Sequence, residues 1–168
     1  MNGPGDSPEG ARDRDAAGRA RNARPRDGLG RPLPRGAVGE ERVPDDLVLA
    51  PEESLAVAQR MLDEGRPFHA HEVLEASWKA APAGERDFWQ GLAQLAVGLT
   101  HARRGNAVGA VTLLRRGADH IRGYAPVDPY GVPVARVVAD AEELARQLGS
   151  AGGHDQALAD GASLRLRP

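Results

Sequence analysis

Two segments of the chain, GRPFHAHEVLE from Gly65 and GNAVGAVTLLR from Gly105, align at an offset of 40 residues. Gly65 falls on Gly105, Ala70 on Ala110 and Leu74 on Leu114. A glycine that turns the chain, a small residue where helices approach and a large apolar residue one turn later form the pattern of a helix-turn-helix hairpin. Two copies predict two stacked hairpins. They also differ in an informative way: where the second copy has Val111, Thr112 and Arg115, the first has His71, Glu72 and Glu75.

The punctuation around the repeat agrees with it. Pro51 can open a helix reaching Leu62, and Pro67 a second reaching about Ala81, because proline fits a first turn where its missing N–H costs nothing. The breaker APAG ends the second, Glu85 to Arg104 forms the third and longest, and Gly105 is placed to close it with a left-handed cap. Asn106 can cap a fourth helix to about Arg122; after the loop GYAPVDPYG, Val134 to Leu148 reads as a fifth. No segment alternates with period two, so the predicted class is all-α: a compact bundle of about five helices built on two stacked hairpins, with an extended N-terminal arm.

Composition sets the boundaries. At 168 residues the chain is long enough for one core and short for two. Residues 1–45 hold no aromatic side chain but eight glycines, six prolines, nine arginines and eight acids, which cannot bury enough apolar area to offset chain entropy. They are expected as a flexible or extended arm, residues 46–149 as the helical domain and residues 150–168 as a small, polar, flexible tail. Within the arm, residues 19–36 carry six arginines against one acid, Asp27, a charge excess able to touch phosphate. With no interleaved aromatic residue and a net charge of -2 overall, nucleic acid is not an expected partner. The absence of cysteine suits a reducing cytoplasm, and MNGPGDSPEG lacks the apolar segment of a secretory signal. The longest uncharged run, Phe88 to Ala102, is shorter than the roughly 20 residues a bilayer span needs, so no membrane association is expected.

The stretch FHAHEVLEASW (68–78) concentrates the chemistry. Advancing about 100° per residue, Ala70, Leu74, Ser77 and Ala81 share one face, while Trp78, His71, Glu75 and Phe68 occupy one shoulder and Glu72 the far side. His71 and Glu75, four apart, can therefore meet. On the third helix Asp87, Gln90, Gln94, Gly98 and His101 form a polar stripe opposite Phe88, Leu92, Leu95 and Leu99, with Gly91 and Gly98 permitting close approach by another helix. Solvated faces are usually richer in Lys, Arg and Glu, so the two polar rows are expected to face and satisfy each other. His69, His120 and His154 are expected at the surface.

Three readings compete. The constellation can be a structural network that sets the register of the hairpins. It can be a pocket lined by His71, Glu75, Trp78, Gln90, Gln94 and His101 that holds a small molecule or a partner segment. It can be a metal-dependent hydrolase, with His71, Glu75 and His101 as ligands, since HEVLE keeps one histidine of the HExxH pattern. A scaffold for protein partners is a further alternative, and a homo-oligomer is left open. Whether the chain is an enzyme, and with what cofactor, is not legible from these residues.

GRPFHAHEVLEASWK followed by RDFWQGLAQLAVGLTHARRGNAVGAVTLLRRG resembles the small prokaryotic helical family known as a domain of unknown function, number 309, over about residues 51–148. The resemblance implies a compact all-α fold. It places His71, Glu72, Glu75, Trp78, Gln90, Gln94, His101, Arg104, Gly105 and Asn106 on motif positions, with Phe68, Glu72, Arg104, Gly105 and Asn106 as motif residues that can be structural. It implies no reaction. RPRDGLGRPLPRG in the arm also resembles extensions found in some members.

Overall fold

Backbone caps divide the chain into helices where proline, glycine and asparagine stand. The structure, a computed structural model, describes residues 24–40, 43–44, 47–150 and 156–167. Six α-helices follow in order: α1 (Pro51–Asp63), α2 (Pro67–Ala80), α3 (Arg86–Arg103), α4 (Ala107–Arg122), α5 (Val134–Ser150) and α6 (Gln156–Gly161). Among the described residues there is no strand, only an isolated antiparallel bridge between Arg26 and Pro32. The class is all-α, as the periodicity predicted. No helix among the described residues is long and apolar enough to cross a membrane.

The repeat is realised as two turns of one geometry. At the first, Gly65 (φ +73°) donates to the carbonyl of Leu62 and Arg66 to that of Met61. At the second, Gly105 (φ +77°) donates to Ala102 and Asn106 to His101. This pairing of a left-handed residue with a bond reaching five residues back is the Schellman closure, which satisfies carbonyls that a helix end otherwise leaves open. Asn106 adds a cap at the start of α4, its Oδ1 accepting from the Gly109 amide at 2.9 Å. α1 with α2, and α3 with α4, are the two hairpins; Ala70, Ala110, Leu74 and Leu114 are all fully buried at their interfaces.

The hairpins pack through α2 and α3, and α5 covers α4. Phe88, Trp89, Leu92, Leu95 and Leu99 of α3 form the centre, with α3 buried on most of its circumference. The glycines of α3 settle which helix comes closest. A β-carbon on Gly91 would stand 2.8 Å from the Gly117 carbonyl oxygen, and one on Gly98 would stand 2.9 Å from the Leu114 side chain, so both glycines serve the α3–α4 contact.

Two expectations need correction. His69, expected at the surface, is 2% exposed because α2 is covered from more than one side. Residues 156–167, expected as part of a polar tail, pack on the bundle. α6 is followed by Leu164 and Leu166, each 1% exposed, and buried Gln59 ties them down. Its Nε2 donates to the Leu164 carbonyl at 3.2 Å, and its Oε1 accepts from the Leu166 amide at 2.6 Å. His120 is half-buried 3.8 Å from Asp87, and His154 lies outside the described residues.

Candidate functional site

On α2 the helical spacing brings His71 and Glu75 together, Nε2 to Oε2 at 3.2 Å, and Lys79 closes on the other carboxylate oxygen at 2.7 Å. The His71 Nδ1 is shielded from solvent near the Phe68 carbonyl but outside hydrogen-bond geometry. Burial pushes the His71 imidazole below its ordinary range, against the upward pull of the Glu75 carboxylate. Glu72 is half-buried, with one carboxylate oxygen shut off from solvent, so it is less exposed than the far side of the wheel implied. Trp78 is half-buried against the hydrophobic core and contributes packing.

The second polar row does not answer the first. No hydrogen bond joins His71 or Glu75 to Gln90, Gln94 or His101, and the Gln94 Oε1 is buried without a partner. The physical reason is the glycine edge described above, which turns α3 toward α4. His101 is drawn into the cap of that helix: the Asn106 amide nitrogen lies 2.9 Å from its Nδ1, which accepts because the Asn106 oxygen already serves Gly109. Burial, and then the Arg104 charge, lower the His101 pKa. The hydrolase set is therefore split between a pair on α2 and a cap residue at the end of α3. Among the described residues, no three His, Asp or Glu side chains converge as metal ligands.

What the structure does bring together is Phe68, Arg104 and the arm. The DGLG segment of the arm folds into a tight loop organised by Asp27, whose Oδ1 accepts from the amides of Leu29 (3.0 Å) and Arg31 (2.8 Å). Burial raises the Asp27 pKa, but these amides and the Arg31 guanidinium, 2.6 Å away, outweigh it and hold the carboxyl low. The Leu33 amide returns to the Pro25 carbonyl at 2.7 Å, closing the loop. At its tip Gly30 is buried with φ +71°, and a β-carbon there would lie 2.3 Å from the Phe68 ring. The glycine backbone is seated on that ring. Arg104 donates through Nε and Nη2 to the Leu29 carbonyl, Arg26 donates to the Gly30 carbonyl at 2.5 Å, and their guanidinium carbons lie 5.9 and 5.6 Å from the Phe68 centroid. Arg66 pairs with Glu40 at 2.7 Å. Phe68 also reaches His71, ring to ring, at 6.0 Å, so the dock adjoins the His71–Glu75 pair.

Sequence reasoning placed Phe68 and Arg104 on the motif but missed Arg26, Asp27, Leu29 and Gly30. The available signal was two glycines around a leucine, after an aspartate able to cap a turn, inside an arginine-rich arm. A shallow groove of about 470 Å³ between α5 and α6, lined by residues including Leu144, Gln147, Leu158 and Ala162, involves none of the anticipated site residues.

Comparison with known proteins concentrates on the two hairpins. The uncharacterized protein YpuF of Bacillus subtilis (strain 168) is 48% identical over 48 residues. That is 28% of this chain and 28% of the relative, so the chain spans well under a third of the curated protein it matches. No solved structure matches. The family model described as Domain of unknown function (DUF309) matches residues 55–113, from within α1 into α4. That matched segment, about a third of the chain, holds Phe68, His71 and Arg104 but not the arm, so the similarity to the DUF309 family rests on the two hairpins alone.

Proposed function

We propose that the helical domain is a binding module whose working surface is the Phe68–Arg104 face beside the His71–Glu75 pair, and that it holds an extended, glycine-containing segment. One observation carries the reading. An irregular segment with little apolar content is held there by a backbone seat on an aromatic ring and by an arginine on a main-chain carbonyl. Such a mode recognises backbone shape more than side chains: only glycine fits the seat, and the carbonyl bond is available to any sequence with the right turn. Residues 24–40 occupy the face in cis, and a partner segment of like chemistry would compete with them. The absence of cysteine fits work in a reducing compartment such as the cytoplasm.

The test uses the full chain carrying Gly30→Val, which cannot seat its own arm. A synthetic peptide with the sequence of residues 24–40 should then bind in trans, shifting the NMR signals of the Phe68 ring and the Arg104 side chain, and a Phe68→Ala change made in the same chain should abolish that binding. A peptide that fails to bind the Gly30→Val chain, or that binds equally well when Phe68 is absent, would remove the basis for the proposal.

A further inference from the structure

We propose that Arg26 and Arg104, held together on the Phe68 ring by the docked loop, form a site for a phosphate-type oxyanion. Both guanidiniums approach the same ring, and both are fixed to consecutive main-chain carbonyls, those of Gly30 and Leu29. Among the described residues, neither is joined to a carboxylate by an ion pair. Asp27, whose charge acts on Arg104, is already engaged by the Arg31 side chain and by two backbone amides. The loop therefore confines two positive charges that it does not neutralise. A guanidinium has five N–H donors; Arg104 spends two of its nitrogens on the Leu29 carbonyl and Arg26 one on Gly30, so both forks keep donors in reserve.

Burial, together with the Arg26 and Arg31 charges and against the opposing pull of Asp27, lowers the Arg104 pKa, in keeping with a confined cationic cluster. A tetrahedral oxyanion matches this arrangement, because it accepts several charge-assisted bonds from planar forks and relieves the repulsion between them. One arginine comes from the arm and one from the DUF309 segment, so the site exists only when the arm is docked. The proposal shares that docked geometry with the binding-module reading, but it concerns a small ion and not a competing segment.

The experiment titrates the labelled full chain with inorganic phosphate, and separately with methyl phosphate, at constant ionic strength, following the Nε–Hε signals of Arg26 and Arg104. Hydrogen exchange of residues 24–40 is measured in parallel. Saturable shifts at both arginines are expected, with affinity reduced at least about tenfold by Arg104→Lys, which keeps the charge but loses the fork, and by Arg26→Gln. Arg136→Gln, on the outer face of α5, should change nothing. Methyl phosphate binding as well as phosphate would identify an esterified ligand, and preference for inorganic phosphate a free one. Shifts that grow linearly without saturating, or that are equal in Arg104→Lys and Arg136→Gln, would overturn the proposal as diffuse charge attraction. Exchange data separate the two readings: a protected arm with no phosphate binding sinks only the ion site, whereas an unprotected arm in the parent chain sinks the binding module.

Discussion

Replacing Gly30 by alanine tests the seat with a single methyl group. The residue has φ +71°, where a β-carbon costs about 1–2 kcal/mol in an L-residue. The added carbon would stand 2.3, 2.4 and 2.6 Å from three atoms of the Phe68 ring. A ring cannot yield as a flexible chain end does, so overpacking adds about 1–3 kcal/mol, for a combined penalty of about 2–5 kcal/mol. Against this stand the attachments of the loop. Two charge-assisted bonds to carbonyls contribute about 1.5 kcal/mol each at the low end expected for exposed groups, and two ring contacts about 0.5 kcal/mol each, roughly 4 kcal/mol in all. The penalty is comparable to the anchorage at the ring, the Arg66–Glu40 surface pair apart, so the loop should leave the ring in preference to storing the strain. Hydrogen exchange at the amides of Leu29, Gly30, Arg31 and Leu33 should accelerate by about 30-fold or more, at tenfold per 1.4 kcal/mol, while thermal unfolding of the helices changes little. Gly36→Ala is the internal control: that residue has φ +86° with nothing within 4 Å of its β-carbon, so it carries the conformational cost alone. Equal acceleration in the two variants would show that the ring contact contributes nothing, and no acceleration in Gly30→Ala would refute the docked loop itself.

Gln59→Ala should cost about 1–3 kcal/mol in chemical unfolding, because it strands the Leu166 amide and the Leu164 carbonyl in a buried setting; an unchanged midpoint would show that residues 162–167 are not packed on α1. Tyr130 donates to Glu85 at 2.7 Å, and this bond, followed by burial and the Glu85 charge, raises the phenol to about 12; Glu85→Gln should move it down toward 10, read by ultraviolet titration. His71 has a lowered folded-state pKa, so as pH falls below the ordinary value of 6.5 the unfolded chain takes up a proton before the native one. Stability contributed by the neutral imidazole is thus full above that pH and declines below it. His71→Gln should flatten this part of the stability profile, and a profile of unchanged slope would contradict the half-buried, neutral His71.

Most of the helical frame was legible because its signals are local. Pro51, Pro67, Gly105 and Asn106 act within one turn of where they stand, and the pairing of Ala70 with Ala110 and Leu74 with Leu114 requires only that two hairpins share a register. The partnership of the polar rows was not legible, because a helical wheel gives the face of a residue and not the helix that covers it. Gly91 and Gly98 indicated a close neighbour without naming α4. His69 was misplaced for the same reason. Leu164 and Leu166 sit in a short run between glycine and arginine, and their burial depends on Gln59, over a hundred residues away in sequence. The loop at Gly30 is likewise set by a ring 38 positions further along, and composition carries no trace of such a contact.

The duplicated turn bears on stoichiometry. Forty residues after Phe68 the second hairpin presents Val108, and whereas Phe68 is covered by the loop, Val108 is 81% exposed. The repeated turn thus recurs with different equipment: in the first hairpin an aromatic ring approached by Arg104 and Arg26, in the second a bare valine. On the binding-module proposal, a chain of this design would take one segment for every two turns, and the choice between them would rest on the residue that follows each helix start by a single position.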